Sequence, residues 1–250
     1  TRGAWEVKGT NGFDEKGENF FFHANKEKPV NQDFYSVNLK SGKITRLTEG
    51  DGFHMVMASK KGDLFVDNFS SVNIPREIRI IHPSRGTGKN IFSAENPLKQ
   101  YKTGNWRLFT IKNNKGDELY SRMFLPVDFD STKKYPVIVS VYGGPHAQRV
   151  TNTWSPRDLY LHYLVQQGYL VFQLDNRGSY NRGKAFEDPI YKKLAEVELR
   201  DQIRGVEYLR GLPYVAADKV AIYGHSYGGY MAIMAMFKAS DYFAAGVSGA

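Results

Sequence analysis

The sequence contains no cysteine, so disulfides and thiolate metal sites are excluded. It has no apolar run of membrane-spanning length and no signal-like segment after Thr1. It has no dense basic run either, despite a formal charge of +8. Its Lys and Arg residues are scattered through turns such as Lys40-Ser41-Gly42-Lys43 and Ser59-Lys60-Lys61-Gly62. That scatter reads as solvated surface, with no nucleic-acid site. Against these absences stand 41% hydrophobic and 24% charged residues, a globular balance that allows a sizeable core. The 14% aromatic share, much of it Tyr and Phe in alternating runs, favours β structure early in the chain.

Two periodicities divide the 250 residues. From Trp5 to about Phe92, the runs ENFFFHAN, QDFYSVNL, FHMVMAS and DLFVDNFSS have strand length and strand composition, with glycine turns between them. DEKGENFFF around Gly17 matches SKKGDLFVD around Gly62, 45 residues on, and KSGKITRLT around Gly42 resembles GTGKNIFS around Gly88, 46 residues on. A period of about 40–45 residues fits the four-stranded blade of a β-propeller better than a β-sandwich. After NPLKQYKTGNW the pattern changes. ELYSRMFLP reads as a strand, and VIVSVYGG and YLVFQLDNRG as strands buried on both faces. RDLYLHYLVQQG reads as a helix that buries Leu161, Leu164 and Val165 and stops at Gly168. VELRDQIRGVEYLRGL is a second helix with Leu199, Ile203, Val206 and Leu209 on one face. KVAIYG, YGGYMAIMAMFKA and AAGVSGA continue as strand, helix and strand. The alternation implies an α/β fold with a parallel sheet over residues 99–250, preceded over residues 1–98 by the last blades of a propeller. Both parts read as incomplete, so the chain is expected to be an internal segment of a longer polypeptide.

Gly224-His225-Ser226-Tyr227-Gly228 fits G-x-S-x-G between an apolar strand and a helix. A serine on so tight a turn stands clear of the sheet as a nucleophile. The helix that follows aims free N–H groups at a developing oxyanion, and the N–H of Tyr227 is the natural first donor. Tyr142, in Tyr142-Gly143-Gly144-Pro145-His146, is a candidate second donor through its hydroxyl; packing at the strand end is its alternative role. No general base is visible. His23, His54, His82, His146, His162 and His225 all precede Ser226, whereas in this topology the acid and then the histidine follow the nucleophile. Adjacent side chains at an elbow diverge, so His225 is expected to pack beneath the turn. His146 is expected to be polar surface or to line the site, and His162 to sit on a helix in ordinary surroundings.

Three blocks stand in order: SRMFLPVDFDSTKKYPVIVSVYGGPHAQRV, LDNRGSYNRGKAFEDPIYKKLAEVELRDQ and KVAIYGHSYGGYMAIMAMF. Together they resemble the prolyl oligopeptidase family of serine peptidases, in particular its dipeptidyl peptidase IV branch. The likeness is strongest from Tyr101 to Ala250, and the first hundred residues are similar to the family's last propeller blades. The resemblance implies an α/β-hydrolase domain with Ser226 as nucleophile and Tyr142 as the side-chain donor of the oxyanion hole. It implies that Tyr227 both donates its N–H and walls a pocket favouring proline or alanine before the scissile bond. It implies hydrolysis through an acyl-enzyme, with the catalytic Asp and His beyond Ala250, so that residues 1–250 alone are expected to be inactive. Peptide substrates, a possible homodimer and no cofactor or metal follow from the same resemblance. His225 departs from the tryptophan usual before the serine in dipeptidyl peptidases. An acylaminoacyl-peptidase or oligopeptidase of the same family, and a non-catalytic binding protein of this architecture, are the competing readings.

Overall fold

The computed structural model describes residues 3–83, 86–155 and 158–250. Backbone contacts divide it into two compact units: Thr1–Lys99 with Thr151–Pro156, and Gln100–Val150 with Arg157–Ala250.

The first unit holds two four-stranded antiparallel sheets, each in sequence order. One comprises β1 (Val7–Phe13), β2 (Asn19–Ala24), β3 (Asp33–Asn38) and β4 (Ile44–Arg46). The other comprises β5 (Phe53–Ala58), β6 (Phe65–Ser71), β7 (Ile74–His82) and β8 (Gly86–Ser93). The 45-residue repeat is a repeated turn. Gly17 and Gly62 take φ of 68° and 67°, where glycine carries no Cβ penalty. Their N–H groups donate to the carbonyls of Asp14 and Ser59, both at 3.0 Å. The Asp14 carboxylate then accepts the N–H groups of Glu18 and Asn19, and the Ser59 hydroxyl accepts those of Asp63 and Leu64. The second match is looser. Gly42 turns between β3 and β4 with φ 70°, whereas Gly88 lies inside β8. Phe21, Phe34, Val56, Phe65 and Ile81 from both sheets form one core, with Phe65 edge-on to Phe21 and Phe34. The His23 imidazole accepts the Val56 N–H at 2.9 Å across this core.

The second unit is a six-stranded sheet with helices on both faces. Its strands are β9 (Trp106–Lys112), β10 (Glu118–Phe124), β11 (Tyr135–Val141), β12 (Leu170–Leu174), β13 (Val215–His225) and β14 (Ala245–Gly249). Its helices are α1 (Leu159–Gln166), the single turn α2 (Lys184–Glu187), α3 (Val197–Arg210) and α4 (Tyr227–Lys238). Strand order is β14-β13-β11-β12-β10-β9. The first four are mutually parallel, and the sheet is extended by β10 and β9, which are antiparallel. The expected parallel sheet is therefore mixed. The cause is the short turn from Asn113 to Asp117, which can only return an antiparallel strand. Side chains alternate between the faces. Val137, Val139 and Val141 meet Val206 and Leu209 of α3 and Met231 of α4, whereas Ile138 and Val171 meet Leu161, Leu164 and Val165 of α1. Each fully buried aliphatic side chain contributes about 1.5–3 kcal/mol. Gly168 ends this helical segment with φ 86°; Arg157, where the sequence pattern opens it, lies outside the described residues.

Candidate active site

The site is built where β11, β12 and β13 end. β13 runs to His225 and α4 begins at Tyr227, so Ser226 alone makes the turn, with φ 58° and ψ −123°. A non-glycine residue held there costs about 1–3 kcal/mol, a strain retained where the surroundings over-determine it. The surroundings are backbone packed on backbone. A Cβ on Gly224 would lie 2.2 Å from the Gly228 carbonyl oxygen, and one on Gly228 would lie 2.3 Å from that of Val141. Bare glycines thus let the first turn of α4 rest on the end of β11, and Tyr142 is brought to the elbow. The Ser226 N–H donates to the Gly249 carbonyl at 2.9 Å, and its own carbonyl accepts the Tyr230 N–H at 3.1 Å.

Ser226, Tyr227 and Tyr142 stand together. The Tyr142 and Tyr227 rings lie 6.1 Å apart at 40°, and Gly144 closes over both. The Tyr227 hydroxyl donates to Glu198 Oε1 at 2.7 Å. Burial and that acceptor push its phenol well above the ordinary range, so it remains a donor across the working pH range.

The histidines of this unit are placed elsewhere. His146, largely exposed, pairs with Glu187 at 3.1 Å. His162 sets its ring edge-on to Phe124, and burial lowers its pKa. His225 is exposed, where packing beneath the turn was expected. The strand alternation explains the difference, because Ile222 and Gly224 take the buried face and His225 the other.

Sequence reasoning missed the residues that hold the loop carrying Tyr142. Asp175, Asn176 and Arg177 follow the fully buried β12, and each has a separate task. The Asp175 carboxylate accepts the N–H groups of Arg149 and Val150, both at 2.9 Å. Burial pushes its pKa up to about 6, against the pull of those donors and of Arg122. Asn176 donates to the Gly143 carbonyl at 3.0 Å and accepts from Gln202 at 2.9 Å. Arg177 forms a two-pronged pair with Asp201, at 2.9 and 2.7 Å, and Asp201 also accepts the Arg177 N–H. Glu198, Asp201 and Gln202 form a buried polar face on α3 beside its apolar one. A polar run, DNRG, directly after an all-apolar strand was the available signal.

Residues 154–250 match the family model described as the prolyl oligopeptidase family. Those residues belong to that family. Residues 1–76 match the dipeptidyl peptidase IV N-terminal region. Dipeptidyl peptidase 8 of Mus musculus is 31% identical over 267 residues, spanning 100% of this chain and 30% of that protein. The crystal structure of Porphyromonas gingivalis dipeptidyl peptidase 4 superposes with a TM-score of 0.90 at 29% identity, covering 99% of this chain and 35% of that one. The architecture is accordingly that of this family: propeller blades, then an α/β-hydrolase sheet. The chain spans about a third of the length of the relatives it matches.

Proposed function

We propose that the protein is a serine peptidase that cleaves peptide bonds through an acyl-enzyme on Ser226. The observation that carries this is the strained backbone of Ser226 between β13 and α4, with Tyr142 seated beside it. Attack by Oγ on the scissile carbonyl places negative charge on its oxygen. The Tyr142 hydroxyl and the Tyr227 N–H are the proposed donors to that oxygen, and the packing of the two rings side by side supports the pairing. The proton passes to a histidine oriented by an aspartate, the pair proposed to lie beyond Ala250.

The proposed specificity is that of a dipeptidyl peptidase with proline or alanine before the scissile bond. Support comes from relatives named as dipeptidyl peptidases and from the aromatic wall at Tyr227, on which a flat pyrrolidine ring stacks. In the full-length protein, a fluorophosphonate should label Ser226, and Ser226→Ala should abolish labelling. Labelling that persists in the variant refutes the nucleophile. Comparing Gly-Pro, N-blocked alanine and long-peptide substrates separates a dipeptidyl peptidase from an acylaminoacyl-peptidase or an oligopeptidase.

A further inference from the structure

Glu198 is fully buried in the first turn of α3, and its Oε1 accepts the Tyr227 hydroxyl. Among the described residues no donor reaches its Oε2. A buried carboxyl group with a single side-chain donor is a poor way to fill space. A leucine facing a phenylalanine would occupy a similar volume with no polar group to satisfy. What the carboxyl group adds is direction. A hydrogen bond at the far end of the ring fixes its tilt and its in-plane position, which apolar packing alone does loosely.

That ring is also edge-on to Tyr230, at 5.4 Å, and lies under Gly144, whose Cβ would come within 2.8 Å of Tyr227 Cγ. One helical turn further along the same face, Gln202 holds Asn176, which holds the Gly143 carbonyl next to Tyr142. A single stretch of α3 therefore sets the positions of both tyrosines.

We propose that Glu198 is a positioning residue that sets specificity: by holding the Tyr227 hydroxyl it fixes the ring walling the pocket for the residue before the scissile bond, and so sets the preference for proline over alanine there. This rests on the peptidase reading of Ser226. A ring free to rock loses stacking on the rigid pyrrolidine, while a methyl group makes little use of the same wall.

The test uses full-length wild type, Glu198→Ala, Glu198→Gln and Tyr227→Phe, with kcat and KM measured on Gly-Pro- and Gly-Ala-p-nitroanilide. Glu198→Ala and Tyr227→Phe are expected to lower kcat/KM about tenfold on the proline substrate and less on the alanine one, as the loss of one orienting hydrogen bond implies. The proline/alanine ratio therefore falls. Glu198→Gln, whose amide oxygen still accepts the hydroxyl, should keep the ratio within about twofold of wild type. A purely structural role would reduce the labelled fraction and both substrates alike, leaving the ratio unchanged. An unchanged ratio in Tyr227→Phe, or a Glu198→Gln ratio as low as in Tyr227→Phe, overturns the proposal. Those two variants carry the test if Glu198→Ala does not fold. Absence of fluorophosphonate labelling in wild type would instead refute the peptidase reading beneath it.

Discussion

Gly228 rests directly on the carbonyl of Val141, so the turn carrying Ser226 and the strand end carrying Tyr142 are one packed unit. Alanine at 228 would force a Cβ to within 2.3 Å of that oxygen, and backbone on one side must move. Gly228→Ala in the full-length protein is expected to cut kcat/KM at least about a hundredfold, the scale of an ångström-level misplacement at a reacting centre. Steady-state kinetics, with circular dichroism to check folding, measures this; near-wild-type turnover would show that the contact is dispensable.

Tyr142→Phe removes one hydroxyl and leaves the ring contact with Tyr227 in place. Loss of a single oxyanion donor lowers kcat by about 10²–10³ with KM little changed. If KM rises while kcat holds, Tyr142 binds substrate and does not stabilise the oxyanion.

Asp201 and Arg177 are buried partners, with side-chain exposures of 2% and 9%. Asp201→Ala leaves a guanidinium in the interior without its carboxylate, and is expected to destabilise the hydrolase unit by about 3–5 kcal/mol. Urea unfolding followed by tryptophan fluorescence reads the change. A loss below about 1 kcal/mol would place this pair with exposed ion pairs in energetic weight.

Between about pH 4 and 6.5 the two units are expected to respond to acid in opposite senses. Burial holds His23 at about 4, below its ordinary 6.5, so the unfolded chain binds the proton first. The stability contributed by neutral His23 is complete above 6.5 and is lost as pH falls towards 4. Asp175 is raised from 3.8 to about 6, so its folded form keeps the proton longer. Its contribution is complete below 3.8 and is lost as pH rises through 6. Thermal unfolding at stepped pH should therefore show His23→Gln flattening the acid-side loss of the blade unit, with the glutamine oxygen still able to accept the Val56 N–H. An unchanged pH profile in that variant would remove His23 from the account.

The legible parts of the molecule were those written as repetition or strong local pattern. The 45-residue offset encoded a turn whose glycine φ and capping side chains recur, and the spacing of Leu161, Leu164 and Val165 gave the buried face of α1 correctly. The elbow was legible because its glycines, strand and helix are contiguous. The buried polar face of α3 was not. Glu198, Asp201 and Gln202 look like solvent-facing positions until β12 and the site tyrosines are brought against them. β10 was legible as a strand but not in its direction, since direction within a sheet is a property of the turn between strands, and its hairpin partner β9 was not read. Gly88 marked the right hairpin but sits in its strand, where it lies close to Ile81 and takes no part in the turn.

The dihedral angles of Ser226 also set stability against activity at one position. Glycine is at ease at φ 58° and ψ −123°, and alanine is no better placed there than serine. Replacing Ser226, the proposed nucleophile, by glycine should thus give a protein that is both inactive and more stable, whereas replacing it by alanine gives one that is merely inactive. A library selected for thermal resistance alone would drift towards glycine at 226, discarding the proposed catalytic hydroxyl as a by-product of relaxing the turn.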